Sequence, residues 1–139
     1  MHDGTITIVC RNDLAEIERL RRKLLQFCEL HDVCGRAVHA FNLALDEVLT
    51  NVIRHGYEDK TVSEITVRVA LTGEELSAVI DDDGREFNPV NYPRVNCALP
   101  LEDRQPGGLG IHLVRSLVSG MDYQRQRGRN VLTIRKKVR

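Results

Sequence analysis

The chain has 139 residues, a length that suits one domain able to bury a substantial core. Its 20 Lys and Arg residues balance 20 Asp and Glu residues, and only 4% of residues are aromatic. This balance disfavours direct nucleic-acid binding by charge or by base stacking. No apolar run could span a bilayer, no secretory signal is visible, and the four cysteines form no CxxC pair. We therefore expect a cytoplasmic protein with reduced, mostly core-filling thiols and no membrane contact.

The first half of the chain predicts one strand and two helices. Residues 5–11 are β-branched and alternating, which is typical of a strand. A helix over about 14–30 follows, and Asp13 and Glu16 have the spacing of a capping box at its start. A second helix is predicted over 36–55, because apolar residues recur there at intervals of three and four and Gly56 can end it.

The second half predicts four strands, a long loop and a third helix. Residues 64–71 and 76–80 form a hairpin about a turn at 72–75. All four prolines lie between 89 and 106, and the stretch of about 88–107 reads as a lid. A helix then begins after the glycines at 107–110 and closes at 119–120. Strands at 121–127 and 131–138 are joined by a turn at 128–130. We predict one domain over 1–139, an α/β (α+β) two-layer sandwich with helices on one face of a mixed, mainly antiparallel sheet.

Glu47 and Asn51 lie four residues apart on the flank of the second predicted helix, so their side chains stack. One interpretation is a solvated helix edge. The other is a ligand site, in which Glu47 accepts a proton and the Asn51 oxygen binds Mg²⁺ together with water and phosphate oxygens. The pair alone leaves both interpretations open.

A second motif, Asp82-Asp83-Gly84-Arg85-Glu86-Phe87, follows a predicted strand. A carboxylate there can accept a hydrogen bond from an exocyclic amino group such as that of adenine. Gly84 would let the backbone turn sharply and approach a base. The alternative is an ordinary acidic turn, since Asp and Gly favour turns for local reasons.

A third motif, Gly107-Gly108-Leu109-Gly110, precedes a predicted helix. Backbone N–H groups at a glycine-rich helix start can bind an anion. Simple loop flexibility is the alternative. The motif is not a Walker A loop, because no Gly-Lys-Ser/Thr follows, and its spacing is not GxGxxG.

In this order the three motifs resemble the Bergerat-type ATP-binding domain of gyrase B, ninety-kilodalton heat-shock chaperones, sensor histidine kinases and mismatch-repair ATPases. The match is strongest to the anti-sigma factor serine kinases of bacterial partner-switching systems. The family's helix pattern falls on Glu47, Asn51, His55 and Tyr57. Its remaining motifs fall on Asp82, Gly84, Phe87, Gly107, Gly108 and Gly110. Gly128-Arg129-Asn130 is similar to the closing turn of this subgroup.

The resemblance implies a role for each matched residue. Glu47 would be the general base, Asn51 would hold Mg²⁺, and Asp82 would bind the adenine amino group. The implied nucleotide-binding set is Asn51, Asp82, Gly84, Phe87, Arg104, Gly107, Gly108, Leu109, Gly110 and Asn130. Within it, Gly108 and Gly110 cradle phosphates and Arg104 contacts the γ-phosphate. Asn130 takes the place of a threonine found in many relatives.

The function implied by the resemblance is an ATP- and Mg²⁺-dependent serine kinase. Its substrate would be an anti-anti-sigma protein of the STAS type, and its second partner would be a sigma factor or similar regulator. Its oligomeric state would be a homodimer. An ATP-gated binding module with little or no phosphoryl transfer is the alternative. A nucleic-acid contact through the basic residues of 125–139 is a third hypothesis, although such residues commonly protect a sheet edge.

Overall fold

A computed structural model describes residues 3–58, 61–91 and 108–138. Within these ranges the chain forms five strands, three α-helices and one 3₁₀ turn. Their order is β1 (Gly4–Arg11), α1 (Glu16–Leu30), α2 (Arg36–His55), β2 (Glu64–Thr72), β3 (Glu75–Asp82), the 3₁₀ turn (Pro89–Asn91), α3 (Gly108–Leu117), β4 (Gly120–Gln126) and β5 (Arg129–Lys137). The predicted α/β sandwich is confirmed.

The five strands form one sheet in the order β1-β2-β3-β5-β4. All four neighbouring pairs are antiparallel. Within the described residues the sheet is therefore wholly antiparallel, whereas we expected a mixed, mainly antiparallel sheet. β4 runs parallel to β3, and β5 lies between them. This arrangement arises because a tight hairpin follows β4 and places β5 between β4 and β3.

The β4–β5 hairpin corrects one predicted boundary. Gln126 pairs with Arg129, so the turn consists of Arg127 and Gly128 alone. Both residues have positive φ, 52° and 77°, as a two-residue type I′ turn requires. The predicted turn at 128–130 was wrong because a positive φ at an arginine is rare and leaves no signal in the sequence. Asn130 therefore lies in β5, directly opposite Asp82 of β3.

The core lies between one face of the sheet and the helices. Alternate residues of β2, from Ile65 to Leu71, are at most 1% exposed, whereas the intervening residues are half-buried or exposed. Side chains from α1, α2 and α3 join this face in one buried cluster. Of the apolar stripe predicted for α2, all but the last residue are buried, and Val52 is partly buried against the core; the buried residues are Val38, Phe41, Leu45, Val48 and Leu49. Packing of this stripe orients α2, so that its polar flank is directed consistently.

The start of α1 differs slightly from the prediction. The helix begins at Glu16, two residues later than expected. The Asp13 carboxylate accepts a hydrogen bond from the Ala15 N–H at 3.0 Å, and Glu16 accepts one from the Arg11 N–H at 3.1 Å. These bonds organise the helix entry, but they are not the reciprocal pair of a capping box.

Two of the cysteines fill the core as free thiols, namely Cys10 and Cys28, whereas Cys34 is exposed. Burial raises the pKa of the Cys28 thiol to about 11. Cys97 lies outside the described residues. None of the helices in the described ranges is long and apolar enough to cross a bilayer.

Candidate functional site

A cavity of about 350 Å³ opens beside the C-terminal half of α2. Its walls come from α2, the ends of β3 and β5, the turn after β3, and the start of α3. It brings together Asn51, Asp82, Phe87 and Asn130, which the sequence placed in separate motifs. Its volume suits a small-molecule ligand.

Asn51 of α2 and Ile111 in the first turn of α3 both line this cavity, which therefore reaches the point where the two helices meet. A Cβ atom added to Gly110 would lie 2.8 Å from Oε2 of Glu47 and 3.3 Å from Nδ2 of Asn51. A larger residue at this position would displace the end of the Glu47 side chain. The predicted base, the predicted metal ligand and the glycine motif therefore meet at one point, where the N–H groups of the first turn of α3 also lie.

The Asn51 amide is buried at Nδ2 and has no hydrogen-bond partner there among the described residues. A buried polar group without a partner costs about 1–3 kcal/mol, so this amide is suited to a ligand. Within the described ranges no group of three or more His, Cys, Asp or Glu side chains could hold a metal. The amide oxygen of Asn51 is a hard donor of the kind that Mg²⁺ accepts together with water and phosphate oxygens.

Asp82, which is 3% exposed, also lines the cavity. Its Oδ1 accepts hydrogen bonds from the Gly84 N–H at 2.9 Å and from Nδ2 of Asn130 at 3.0 Å. Burial raises the pKa of Asp82, and these two hydrogen bonds offset part of that shift. Among the described residues, Oδ2 of Asp82 accepts no hydrogen bond and is available to a ligand.

Gly84 is a glycine because the turn after β3 packs against the end of α2. A Cβ on Gly84 would lie 2.7 Å from the carbonyl oxygen of Gly56. The neighbouring Arg85 N–H donates to that same carbonyl at 2.6 Å. The structure therefore gives Gly84 a packing role, and its expected place beneath a base stays a prediction.

Asn130 is the centre of a hydrogen-bond network. Its Nδ2 donates to Asp82 and to the carbonyl of Arg85, at 3.0 and 2.9 Å. Its Oδ1 accepts from the Tyr123 hydroxyl at 2.5 Å, the Arg125 guanidinium at 3.0 Å and the Phe87 N–H at 3.4 Å. Sequence reasoning did not identify Tyr123 and Arg125. Tyr123 and Arg125 alternate along β4 and so lie on one side of it. This pattern would have indicated their contact with Asn130 only if the pairing of β4 with β5 had been known.

The remaining predicted residues belong to the lid and the glycine motif. Arg104 and Gly107 lie outside the described residues, as does most of the predicted lid. The backbone of Gly108 and Leu109 forms the first turn of α3. At the other end of the lid, the Arg115 guanidinium donates to the carbonyls of Pro89 and Val90 at 2.5 and 2.7 Å. This contact, which the sequence did not indicate, attaches the beginning of the lid to α3.

His55 and Tyr57 both line the cavity. The Tyr57 hydroxyl donates to the Asp83 carboxylate at 3.0 Å, and the same carboxylate oxygen accepts from Ser63 at 2.6 Å. Burial raises the pKa of Tyr57, and its hydrogen bond to Asp83 adds to the effect. The Ser63 hydrogen bond holds the pKa of Asp83 below its ordinary value. The tyrosine therefore connects the segment just after α2 to Asp83, the first residue after β3.

Comparison with known proteins agrees with this geometry. The family described as histidine kinase-like ATPase domain matches residues 10–136. The serine/threonine-protein kinase BtrW of Bordetella bronchiseptica is 34% identical over 100 residues, which cover 72% of this chain and 70% of that protein. An anti-sigma F factor of Clostridium kluyveri is 25% identical over 95 residues, covering 68% of this chain and 66% of that protein.

A similar fold occurs in the crystal structure of the RsbU and RsbW domains of Rv1364c from Mycobacterium tuberculosis. The TM-score is 0.70 at 17% identity, and the match covers 97% of this chain but 32% of that one. At this identity the likeness concerns the fold alone. The family match spans nearly the whole chain and includes α2, the Asp-x-Gly turn and the glycine motif. The chain belongs to the histidine kinase-like ATPase domain family.

Proposed function

We propose that this chain is an ATP-dependent protein serine kinase of a bacterial partner-switching system. The observation that carries the proposal is the meeting of Glu47 and Asn51 at Gly110, since Asn51 also lines the cavity that contains the buried Asp82. In this proposal the base of a bound nucleotide lies at Asp82 and its phosphates lie at the first turn of α3. The named serine kinases among the relatives support the same activity.

Each predicted residue then has a role in binding ATP. Asp82 accepts a hydrogen bond from the adenine amino group, with Asn130 and Gly84 supporting the carboxylate. Phe87 lines the cavity beside the base. The glycine motif, Gly107 to Gly110 with Leu109 within it, supplies backbone N–H groups to the phosphates. Arg104 of the lid contacts the γ-phosphate.

Glu47 is the base for transfer. It accepts the proton of the substrate serine hydroxyl, while the serine oxygen forms a bond to the γ-phosphorus and the bond to the β–γ bridging oxygen breaks, releasing ADP. Asn51 is the one protein ligand that we assign to Mg²⁺. When bound, Mg²⁺ supplies charge neutralisation at the phosphates. The chain itself contributes the fixed position of the carboxylate and the donors of α3.

The substrate that we propose is an anti-anti-sigma protein of the STAS type, and the second partner is a sigma factor. Both proposals rest on the resemblance of the motifs and on relatives named as anti-sigma factors. We further propose that the chain acts as a homodimer in the bacterial cytoplasm, where sigma factors work.

Glu47→Gln provides the decisive test. The variant should bind ATP with an affinity close to that of the wild type but should lose at least a hundredfold in the rate of phosphoserine formation. Candidate substrates are STAS proteins encoded by neighbouring genes, and mass spectrometry detects the product. Asp46→Asn is the matched control, because it makes the same chemical change one residue away, at a carboxylate that pairs with Arg21.

Two outcomes would contradict the kinase. If wild-type protein with Mg-ATP binds its STAS partner and leaves it unphosphorylated, the activity is absent. If Glu47→Gln regulates its partner as well as the wild type does, the chain is an ATP-gated binding module, in which nucleotide controls affinity without transfer.

A further inference from the structure

The hydrogen bonds around Asn130 leave its amide only one orientation. Three donors converge on Oδ1, namely the Tyr123 hydroxyl, the Arg125 guanidinium and the Phe87 N–H. Three acceptors surround Nδ2, namely Oδ1 of Asp82 and the carbonyls of Gly84 and Arg85. Rotating the amide by half a turn would place its oxygen against three acceptor oxygens and its NH₂ against the Arg125 guanidinium and the Phe87 N–H, which can only donate. These five contacts oppose the rotation, and the Tyr123 hydroxyl, which could also accept, donates in the observed state.

This orientation determines which atom of Asp82 meets a ligand. The Asn130 NH₂ group and the Gly84 N–H both donate to Oδ1 of Asp82. Because Oδ1 is thus engaged, Oδ2 is left to accept a hydrogen bond from the ligand. Asn130 is 6% exposed, so water does not readily replace a lost partner. Tyr123 and Arg125 supply the two side-chain contacts that keep the amide from turning.

We propose that Tyr123 and Arg125 of β4 are positioning residues that fix the Asn130 amide and thereby make Asp82 select a purine with an amino group at position 6. An adenine amino group donates to a carboxylate, whereas guanine presents a carbonyl oxygen at the same position and is repelled. Arg125 also donates to the Gly84 carbonyl at 2.9 Å, so it holds the Asp-x-Gly turn and the amide together. The proposal rests on the proposed function, since it requires ATP to occupy the cavity.

The test compares ATP and GTP binding in Tyr123→Phe, Arg125→Met and the double variant. Tyr123→Phe removes a single oxygen, and Arg125→Met keeps much of the side-chain length. We expect each single variant to bind ATP threefold to tenfold more weakly and the double variant at least tenfold more weakly, which corresponds to about 1.4 kcal/mol. GTP affinity should stay constant, so the preference for ATP falls by the same factors.

A second readout separates positioning from general destabilisation. The KM for ATP should rise while kcat at saturating ATP stays within about twofold, because Tyr123 and Arg125 act on Asn130, whereas Glu47 lies beside the start of α3. Gln124→Ala is the control, since Gln124 lies between the two residues on the opposite side of β4 and hydrogen-bonds Gln126. It should change neither the affinity nor the preference.

The two proposals fail in different ways. If wild-type protein binds neither ATP nor GTP, the proposed function is wrong. If the wild type prefers ATP and both single variants keep its affinity and its preference, the positioning role is wrong while the kinase stands. Should Arg125→Met not fold, as judged by circular dichroism, Tyr123→Phe alone decides, and an unchanged ATP:GTP ratio in it overturns the proposal.

Discussion

Replacing Gly110 with alanine probes the junction on which the proposed activity depends. The added Cβ would lie 2.8 Å from Oε2 of Glu47, where ordinary contact begins near 3.4 Å. The carboxylate must therefore move by roughly 0.6 Å, and Nδ2 of Asn51, which would lie at 3.3 Å, must move by a smaller distance. Because Glu47 contacts the new atom with the end of a flexible side chain, the backbone can stay in place.

The effects on stability and on catalysis should separate. Alanine is favoured over glycine in a helix by about 1 kcal/mol, and moving Glu47 off its preferred rotamer costs about 0.5–1.5 kcal/mol. The free energy of unfolding should thus change by less than about 1 kcal/mol. Misplacing a catalytic group by about 1 Å can cost a hundredfold in rate. We expect Gly110→Ala to lower kcat roughly tenfold to a hundredfold, with a smaller change in ATP affinity.

The assay measures phosphoserine formation and the thermal midpoint of Gly110→Ala beside Gly120→Ala. The control is closely matched, since a Cβ on Gly120 would lie 2.7 Å from the end of the Arg135 side chain, far from Glu47 in the sheet. Equal losses of kcat in the two variants would refute the reasoning, as would full activity in a well-folded Gly110→Ala protein.

Three further variants or treatments test other parts of the structure. The pKa of Asp82 is raised in the folded protein. The carboxyl group therefore makes its full contribution to stability at pH values below its ordinary pKa, and this contribution is lost as the pH rises through the pKa of the folded state. At pH 7 the thermal midpoint of Asp82→Asn should therefore equal or exceed that of the wild type, and in acid the two midpoints should converge. The variant should bind ATP at least tenfold more weakly. A midpoint below that of the wild type at pH 7 would contradict the expectation. Arg115→Met removes two hydrogen bonds of about 1 kcal/mol each, so amide exchange in the segment before residue 91 should quicken up to about thirtyfold in mass spectrometry while α2 stays protected. Alkylation at pH 8 should label the exposed Cys34 before the buried Cys28, whose pKa is about 11. Peptide mapping measures the labelling of each cysteine. Equal labelling of both in the native protein would show that Cys28 is not buried.

The parts of the fold that local pattern determines were predicted well. The bounds of α2, residues 36–55, match the structure, because its apolar spacing is regular and Gly56 ends it. The hairpin of β2 and β3 was predicted from strict alternation and a glycine turn, although β3 runs on to include Asp82. The position of β5 inside the sheet was not predicted, because pairing between distant strands depends on the packing of the whole chain.

The candidate site divides in the same way. Glu47, Asn51, Asp82 and Asn130 were identified from motifs, and the structure places the last three around one cavity. Tyr123, Arg125 and Arg115 were missed, since each acts on backbone or side-chain groups that come close only in the folded chain. Gly84 was identified for its motif, but its packing against the Gly56 carbonyl required coordinates.

The pairing of Asp82 with Asn130 has a consequence for how the protein is made. Residues separated by 48 positions must meet before the buried carboxylate has its side-chain partner. A growing polypeptide that has left the ribosome only as far as β3 has Asp82 but not the strand that supports it. Nucleotide capture should therefore begin only once β5 has emerged and inserted between β3 and β4. ATP would then stabilise the finished domain and give no help to its earlier intermediates.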